Sequence, residues 1–232
     1  MKTAFSIWLA TAALLSAGTL TFDTALKEID APADAKTVAA EFPFTNKSKD
    51  TVTIKQYEST CSCMSAKIKD GKLRYAPGES GVVRAEFDMG NFSGDVDKVV
   101  AIWLGDDRAD NPSIRLTTRV HIPVLVSIEP KTVKWEIGGD ASPKTIKITM
   151  NHDKPIHVLE VQCSNDNYGS ELKTIEKGKS YELVVSVKDG TQPGLGIFTI
   201  TTDCDVPKHR SQQAFVVSRK PTPAEAAAAA TR

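Results

Sequence analysis

The 232-residue sequence predicts an all-β protein made of two tandem sandwich domains behind a cleavable N-terminal leader. Three observations support this prediction. Short runs alternate apolar and polar residues with a period of two, turn-forming residues separate the runs, and no apolar stripe occurs at helical spacing. The runs recur in both halves of the chain, which indicates two sandwiches of about 95 to 105 residues each.

The N-terminal residues 1–18 have the layout of a secretory signal peptide. Lys2 supplies a positive start, Ala4–Leu15 form an uncharged apolar run, and Ser16 and Gly18 suit the −3 and −1 positions of a cleavage site. The run is shorter than the roughly 20 apolar residues that a membrane span needs. We therefore expect an exported protein, periplasmic or extracellular, with no membrane span after the signal is removed.

The charge balance argues against a nucleic-acid partner. The chain has 29 basic and 29 acidic residues, and Lys2 is the only charged residue before position 19, so the exported part has a net charge of −1. A surface with no excess of positive charge is not expected to bind a polyanion. We expect a protein or another cell-envelope component as the partner.

The first half, residues 19–125, contains six predicted strands. Ile114–Ile122 alternates clearly, whereas Val99–Leu104 is nearly all apolar, as expected of a strand that is covered on both faces. In chain order the six are Val38–Phe44, Thr51–Tyr57, Leu73–Tyr75, Val82–Phe87, Val99–Leu104 and Ile114–Ile122.

The second half, residues 126–219, repeats this scheme after a short link in which Pro123 and Pro130 can stop a sheet ladder. Its predicted strands are Val133–Ile137, Thr145–Met150, Ile156–Val161, Tyr181–Val187, Ile197–Thr201 and Ala214–Val217. Residues 220–232, with the run Ala226–Ala230, have nothing to bury and are predicted to form a disordered tail.

The first half also carries a family resemblance. Phe42–Asn46, Thr60–Cys63 and Pro77–Glu79 occur in that order around alternating strands. This arrangement resembles the DUF1573 family of exported bacterial proteins, which is similar to the immunoglobulin-like domains of the ASPM, SPD-2 and Hydin group, over roughly residues 20 to 122. Ser62 and Met64 replace the Gly and the last Thr of the family's usual Ser-Cys-Gly-Cys-Thr loop. The resemblance implies an immunoglobulin-like β-sandwich fold and export, and it implies no established activity. The second half of the chain resembles the family only in outline.

Four cysteines in an exported chain first suggest disulfide bonds. Cys163 and Cys204 lie at the ends of predicted strands in the second half, and we expect them to form a disulfide. The alternative is a pair of buried or unpaired thiols.

Cys61 and Cys63 are separated by one residue, and three interpretations of this pair stay open. An extended strand would place them about 6.6 Å apart along the chain, so a disulfide between them requires a tight turn. In the first interpretation the pair forms this disulfide, and the loop is structural or inert. Alternatively Cys61, Cys63 and Met64 form a Cu(I) site, because thiolate and thioether ligands suit that ion. The third interpretation is a thiol–disulfide exchange site, and pairing with another chain is a further possibility.

A short internal alignment places Val52–Tyr57 on Ile156–Val161, so that Asn165 and Asn167 fall opposite Cys61 and Cys63. The chain contains no nucleophile elbow, phosphate-binding loop or paired-histidine motif. The leading hypothesis is a non-catalytic binding or scaffold protein with no cofactor, and the alternative is a periplasmic copper-binding or thiol-redox protein.

Overall fold

The computed structural model describes residues 16–17, 20–105 and 107–222. Within these residues the regular elements are strands, apart from two short 3-10 helices at Lys69–Gly71 and Pro207–His209. The chain divides between Pro123 and Val124 into two compact units, named here the first and second domains. No helix in the described part of the chain is long and apolar enough to cross a membrane.

The first domain contains two five-stranded sheets. One has the order β1-β2-β4-β8-β6, and the other has the order β3-β10-β9-β5-β7. The strands are β1 (Ser16–Ala17), β2 (Leu20–Phe22), β3 (Leu26–Asp30), β4 (Thr37–Asn46), β5 (Val52–Ser59), β6 (Met64–Ile68), β7 (Arg74–Tyr75), β8 (Ser80–Asp88), β9 (Gly94–Leu104) and β10 (Ile114–Ile122).

The second domain contains two four-stranded sheets, with the orders β11-β13-β16-β15 and β12-β18-β17-β14. The strands are β11 (Val126–Glu129), β12 (Thr132–Glu136), β13 (Lys144–Met150), β14 (Val158–Cys163), β15 (Tyr168–Glu176), β16 (Ser180–Val187), β17 (Gly194–Thr202) and β18 (Ser211–Arg219).

Strand alternation directs one face of each sheet into the core of its domain. Leu116, Val120 and Ile122 of β10 are at most 3% exposed, while the alternate positions 115, 117, 119 and 121 are exposed or partly exposed. In the second domain, Leu183 and Val185 of β16 are fully buried in the same way. The apolar half of each alternating run therefore forms the core, as the period of two predicts.

The strand order in both domains is that of an immunoglobulin-like sandwich. In the usual lettering, β2-β4-β8-β6 and β11-β13-β16-β15 are the A-B-E-D sheets, and β10-β9-β5 and β18-β17-β14 are the G-F-C sheets. In each domain a short A′ strand, β3 or β12, runs parallel to the G strand. The predicted fold class is confirmed.

The sequence prediction missed the strands β2, β3, β6 and β11, which are only three to five residues long, and the longer strand β15, which lacks a clear period of two. β15 is nine residues long, but only Tyr168 at its start is buried. The predicted strand Ile156–Val161 is displaced by two residues relative to β14, where the pairing shifts between Val158 and Glu160. Most of the predicted signal peptide and of the predicted tail lie outside the described residues, so both stay predictions.

Candidate functional site

Cys61 and Cys63 lie in the four-residue connection Thr60–Cys63 between strands C and D of the first domain, named here the first C–D loop. The two side chains are joined by a disulfide, with an S–S distance of 2.09 Å and a Cα–Cα distance of 5.2 Å. The loop therefore makes the tight turn that a bond between these residues requires. Ser62 between them is exposed, and the two cysteines are partly buried against the core.

Main-chain hydrogen bonds hold this loop in place. The Thr60 N–H donates to the Val99 carbonyl of β9 at 3.0 Å, and the Met64 N–H donates to the Cys61 carbonyl at 3.3 Å. The Asp88 N–H at the end of β8 donates to the Cys63 carbonyl at 2.8 Å. The loop is thus attached to both sheets of the sandwich.

The predicted metal ligands are only partly available in this arrangement. The Cys61 and Cys63 sulfurs are bonded to each other, and Met64 is 5% exposed because its side chain points into the core. Among the described residues, no three or more His, Cys, Asp or Glu side chains are grouped so that they could hold a metal ion. A soft-metal site here would require prior reduction of the disulfide and movement of Met64.

A cationic and aromatic cluster lies beside the same end of the first domain. Lys98 precedes Val99, the residue that binds the loop, and its ammonium lies 4.2 Å from the ring centre of Phe92 and 5.3 Å from that of Phe87. Phe87 is the cross-strand neighbour of Met64.

The second domain builds the same loop without cysteines. Ser164–Asn167, the second C–D loop, also has four residues and the same order of exposed and partly buried positions. The Ser164 N–H donates to the Ile197 carbonyl at 3.0 Å, and Tyr168 N–H and Lys188 N–H donate to the Asn165 and Asn167 carbonyls at 3.1 and 2.8 Å. Each of these bonds has its counterpart in the first C–D loop.

Asn165 and Asn167 therefore occupy the positions of Cys61 and Cys63, as the internal alignment predicts. Their side chains bind main-chain groups: Asn165 Nδ2 donates to the Leu195 carbonyl at 3.0 Å, and Asn167 Nδ2 donates to the Asp189 carbonyl at 3.0 Å. The Asn167 N–H also donates to Asn165 Oδ1 at 2.9 Å. At the position of Lys98 the second domain has Gly196.

The predicted disulfide between Cys163 and Cys204 is wrong, because both residues are free thiols. Cys163 pairs with Phe198 of β17, whereas Cys204 follows the opposite end of that strand at Thr202. The four strand steps from Phe198 to Thr202 alone span about 13 Å, while a disulfide joins Cα atoms about 5.5 to 6 Å apart. The antiparallel pairing places the two thiols at opposite ends of the sandwich. Burial raises the pKa of the Cys204 thiol, which makes it a poor nucleophile.

A second surface of note lies on the outward face of the G-F-C sheet of the second domain. Leu195 and Ile197 of β17 lie directly opposite Val217 and Phe215 of β18, and these four side chains form the apolar outer face. Leu195 is 60% exposed and the other three are partly exposed. Sequence reasoning missed this surface, although the run Leu195–Ile200 is apolar at both odd and even positions.

Cationic side chains border this apolar outer face. Lys134 of β12 is the neighbour of Val217, and Arg219 continues β18 beyond it. Both side chains line a cavity of about 250 Å³, together with Trp135, Glu136, Asp140, Lys144, Lys220 and Pro221. With four basic and two acidic side chains, the cavity has an excess of positive charge.

The first domain matches a known family. The match covers residues 20–120, and the family is described as a protein of unknown function, DUF1573. The Cys61–Cys63 loop lies within this matched region, and the apolar outer face lies beyond it. A comparison with the curated proteins finds no match to this sequence.

The solved structures that are similar to this chain are distant in sequence. One is a protein of unknown function from Porphyromonas gingivalis W83, with 13% identity and a TM-score of 0.34 over 87% of this chain and 99% of that one. Another is the E. coli chaperone DraB, with 11% identity and a TM-score of 0.31 over 82% and 93%. A third is domains 5-6 of the S-layer protein SbsC, with 10% identity and a TM-score of 0.27 over 88% and 98%.

Proposed function

We propose that this chain is an exported, non-catalytic binding protein that recognises a protein partner through the apolar outer face of its second domain. The single observation that carries the proposal is the cluster of Leu195, Ile197, Phe215 and Val217 on the solvent side of two central strands. Removing such contiguous apolar surface from water is the main favourable contribution to protein association.

The bordering charges define the chemistry of the partner. Lys134 and Arg219 lie next to the apolar residues, and Lys144 and Lys220 line the adjoining cavity. A matching surface has an apolar centre with carboxylates at its rim, because the net positive charge of this cavity favours an acidic partner over a basic one. The occupant is therefore a protein segment that combines apolar and acidic side chains.

Site-specific photo-crosslinking in intact cells tests this proposal. A crosslinking side chain at Leu195 should give one discrete adduct, and identification of the adduct should show an apolar segment flanked by acidic residues. The variant Ile197→Thr/Phe215→Thr should abolish the adduct but keep the fold, since Thr199 already occupies the same outward row. A crosslinker at Lys173, on the exposed part of β15 in the other sheet, is the matched control.

Equal adducts at Leu195 and Lys173, or an adduct that survives Ile197→Thr/Phe215→Thr, would contradict the proposal. An adduct with a second copy of this chain would contradict the proposed acidic partner and would show that the apolar outer face mediates self-association. Export is tested separately by cell fractionation with and without residues 1–18, and retention of both forms in the cytoplasm would remove that part of the proposal.

Copper binding at Cys61, Cys63 and Met64 is the second candidate function, favoured by the adjacency of three sulfur-containing side chains in the first C–D loop. Because the cysteine sulfurs are bonded to each other, Cu(I) could bind only after reduction. Anaerobic titration of the reduced protein with Cu(I) tests this candidate. Stoichiometric binding that is lost in Cys61→Ser would support it, and absence of binding would remove it.

A further inference from the structure

We propose that the Cys61–Cys63 disulfide is a thiol–disulfide exchange site that accepts two electrons from a dithiol. The second domain supplies the main argument. It forms a C–D loop of the same length and with the same three main-chain hydrogen bonds, and it has asparagines where the first domain has the disulfide. The loop conformation therefore does not require the disulfide.

The position of the two cysteines in the sequence also limits a structural role. They are two residues apart, so the bond closes a very short segment of chain. The stabilisation that a disulfide gives by restricting the unfolded chain increases with the length of the closed loop. This bond thus adds less than a disulfide that joins distant strands, and its reduction removes little from the folded state.

The Cys61–Cys63 site is also accessible. Ser62 is exposed and the cysteines on either side are partly exposed, so an incoming thiolate can approach from solvent.

The exchange step is balanced by the dithiol alone. A thiolate of the dithiol attacks one sulfur of the Cys61–Cys63 bond, which forms a mixed disulfide and releases the other cysteine as a thiolate. The second thiolate of the dithiol then attacks the dithiol sulfur that is bonded to the protein. This step forms the disulfide of the dithiol and releases the remaining cysteine as a thiolate. The dithiol becomes a disulfide, and Cys61 and Cys63 gain two electrons and two protons.

The test uses the full chain with Cys163→Ser and Cys204→Ala, so that Cys61 and Cys63 are the only thiols that can form. The protein is equilibrated in glutathione buffers of increasing reducing strength, quenched with acid and alkylated. Mass spectrometry then gives the fraction of protein in which Cys61 and Cys63 are reduced. We expect the reduced fraction to rise from zero to one as the glutathione buffers become more reducing. A reduced two-cysteine peptide should be oxidised in a single turnover, one equivalent of peptide disulfide for each equivalent of protein.

The matched control is Cys61→Asn/Cys63→Asn in the same background, which copies the second C–D loop. This variant should keep the circular dichroism spectrum and the melting temperature and should oxidise no peptide. Persistence of the disulfide in excess reduced glutathione would overturn the proposal, since structural disulfides resist that reagent. Unfolding of the first domain on reduction, or in the asparagine variant, would overturn it as well. Neither result bears on the apolar outer face, which lies in the other domain.

Discussion

Asn46 shows how one buried polar side chain joins three parts of the first domain. It is fully buried at the end of β4, and its Nδ2 donates to the carbonyls of Asp50 and Tyr75, both at 2.8 Å. Its Oδ1 accepts from the N–H and the hydroxyl of Ser48 at 3.0 and 2.7 Å. The turn after β4 and the short strand β7 are therefore attached to the same amide.

Replacing this amide should be costly. In Asn46→Ala the four hydrogen bonds are lost and the Tyr75 carbonyl stays buried without its partner, so we expect a loss of about 2 to 4 kcal/mol in unfolding free energy. Urea denaturation measures the loss. The exposed Asn91→Ala is the control and should change stability by less than about 0.5 kcal/mol. Similar effects at both positions would contradict this assignment.

His121 gives the first domain a pH-dependent contribution. Its Nδ1 lies 2.7 Å from Asp95 Oδ1 on the outward face of β10 and β9. The hydrogen bond to Asp95 raises the pKa of His121 above 6.5, and the nearby charges of Asp95, Asp30 and Glu28 act in the same direction. Since the folded state binds the proton more tightly, the stabilisation is complete below the ordinary pKa and is lost as pH rises through the raised value.

The variant Asp95→Asn tests this coupling. Its loss of stability relative to the natural chain should be larger at about pH 5.5 than at about pH 9, because only protonated His121 gains from the carboxylate. Urea denaturation at both pH values gives the difference. Histidine NMR titration should show a lower pKa for His121 in the variant, and an unchanged pKa would contradict the role of Asp95.

At the scale of elements, the C–D loop is the unit that the two domains share. Both loops join strands C and D in four residues and donate and accept at the same main-chain positions. The side chains at the second and fourth positions differ in chemistry, with a disulfide in one domain and two amides in the other. The main chain sets the shape of the loop, and the side chains decide what it can do.

A cysteine pair transferred to the second C–D loop should therefore oxidise. In Asn165→Cys/Asn167→Cys, with Cys163→Ser to prevent rearrangement, we expect a disulfide within the loop after air oxidation, detected as the loss of two hydrogens by mass spectrometry. The cost is the loss of the asparagine hydrogen bonds, about 1 to 2 kcal/mol.

The control for this transfer is Ser170→Cys/Leu172→Cys in strand β15, which has the same spacing. Extended residues two apart lie about 6.6 Å from each other along the strand, so these thiols should stay reduced within the chain. If the strand pair oxidises as readily as the loop pair, the loop geometry is not the reason for the bond between Cys61 and Cys63.

At the scale of the whole molecule, each domain has its own buried apolar core. Leu116 in the first domain and Leu183 in the second are both fully buried. Leu→Ala changes in cores cost about 2 to 5 kcal/mol through lost burial and a residual cavity. Calorimetry should show that Leu116→Ala lowers one unfolding transition and that Leu183→Ala lowers another. If both variants lower every transition equally, the two domains unfold as one cooperative unit.

The sequence alone determined the all-β class, the alternation that buries one face of each strand, and the match of residues 20–120 to DUF1573. It also placed Asn165 and Asn167 opposite Cys61 and Cys63. These features were readable because alternation and short motifs depend on residues that are close together in the chain. β15 escaped prediction because an edge strand with little buried surface has no such pattern.

Tertiary structure alone decided which cysteines could meet and which apolar residues stayed exposed. Antiparallel pairing of β14 with β17 separates Cys163 from Cys204, although both lie at strand ends. The pairing of β17 with β18 brings Leu195, Ile197, Phe215 and Val217 to one outward surface. Both outcomes depend on the register between strands that are distant in sequence, and no local pattern of residues carries that register.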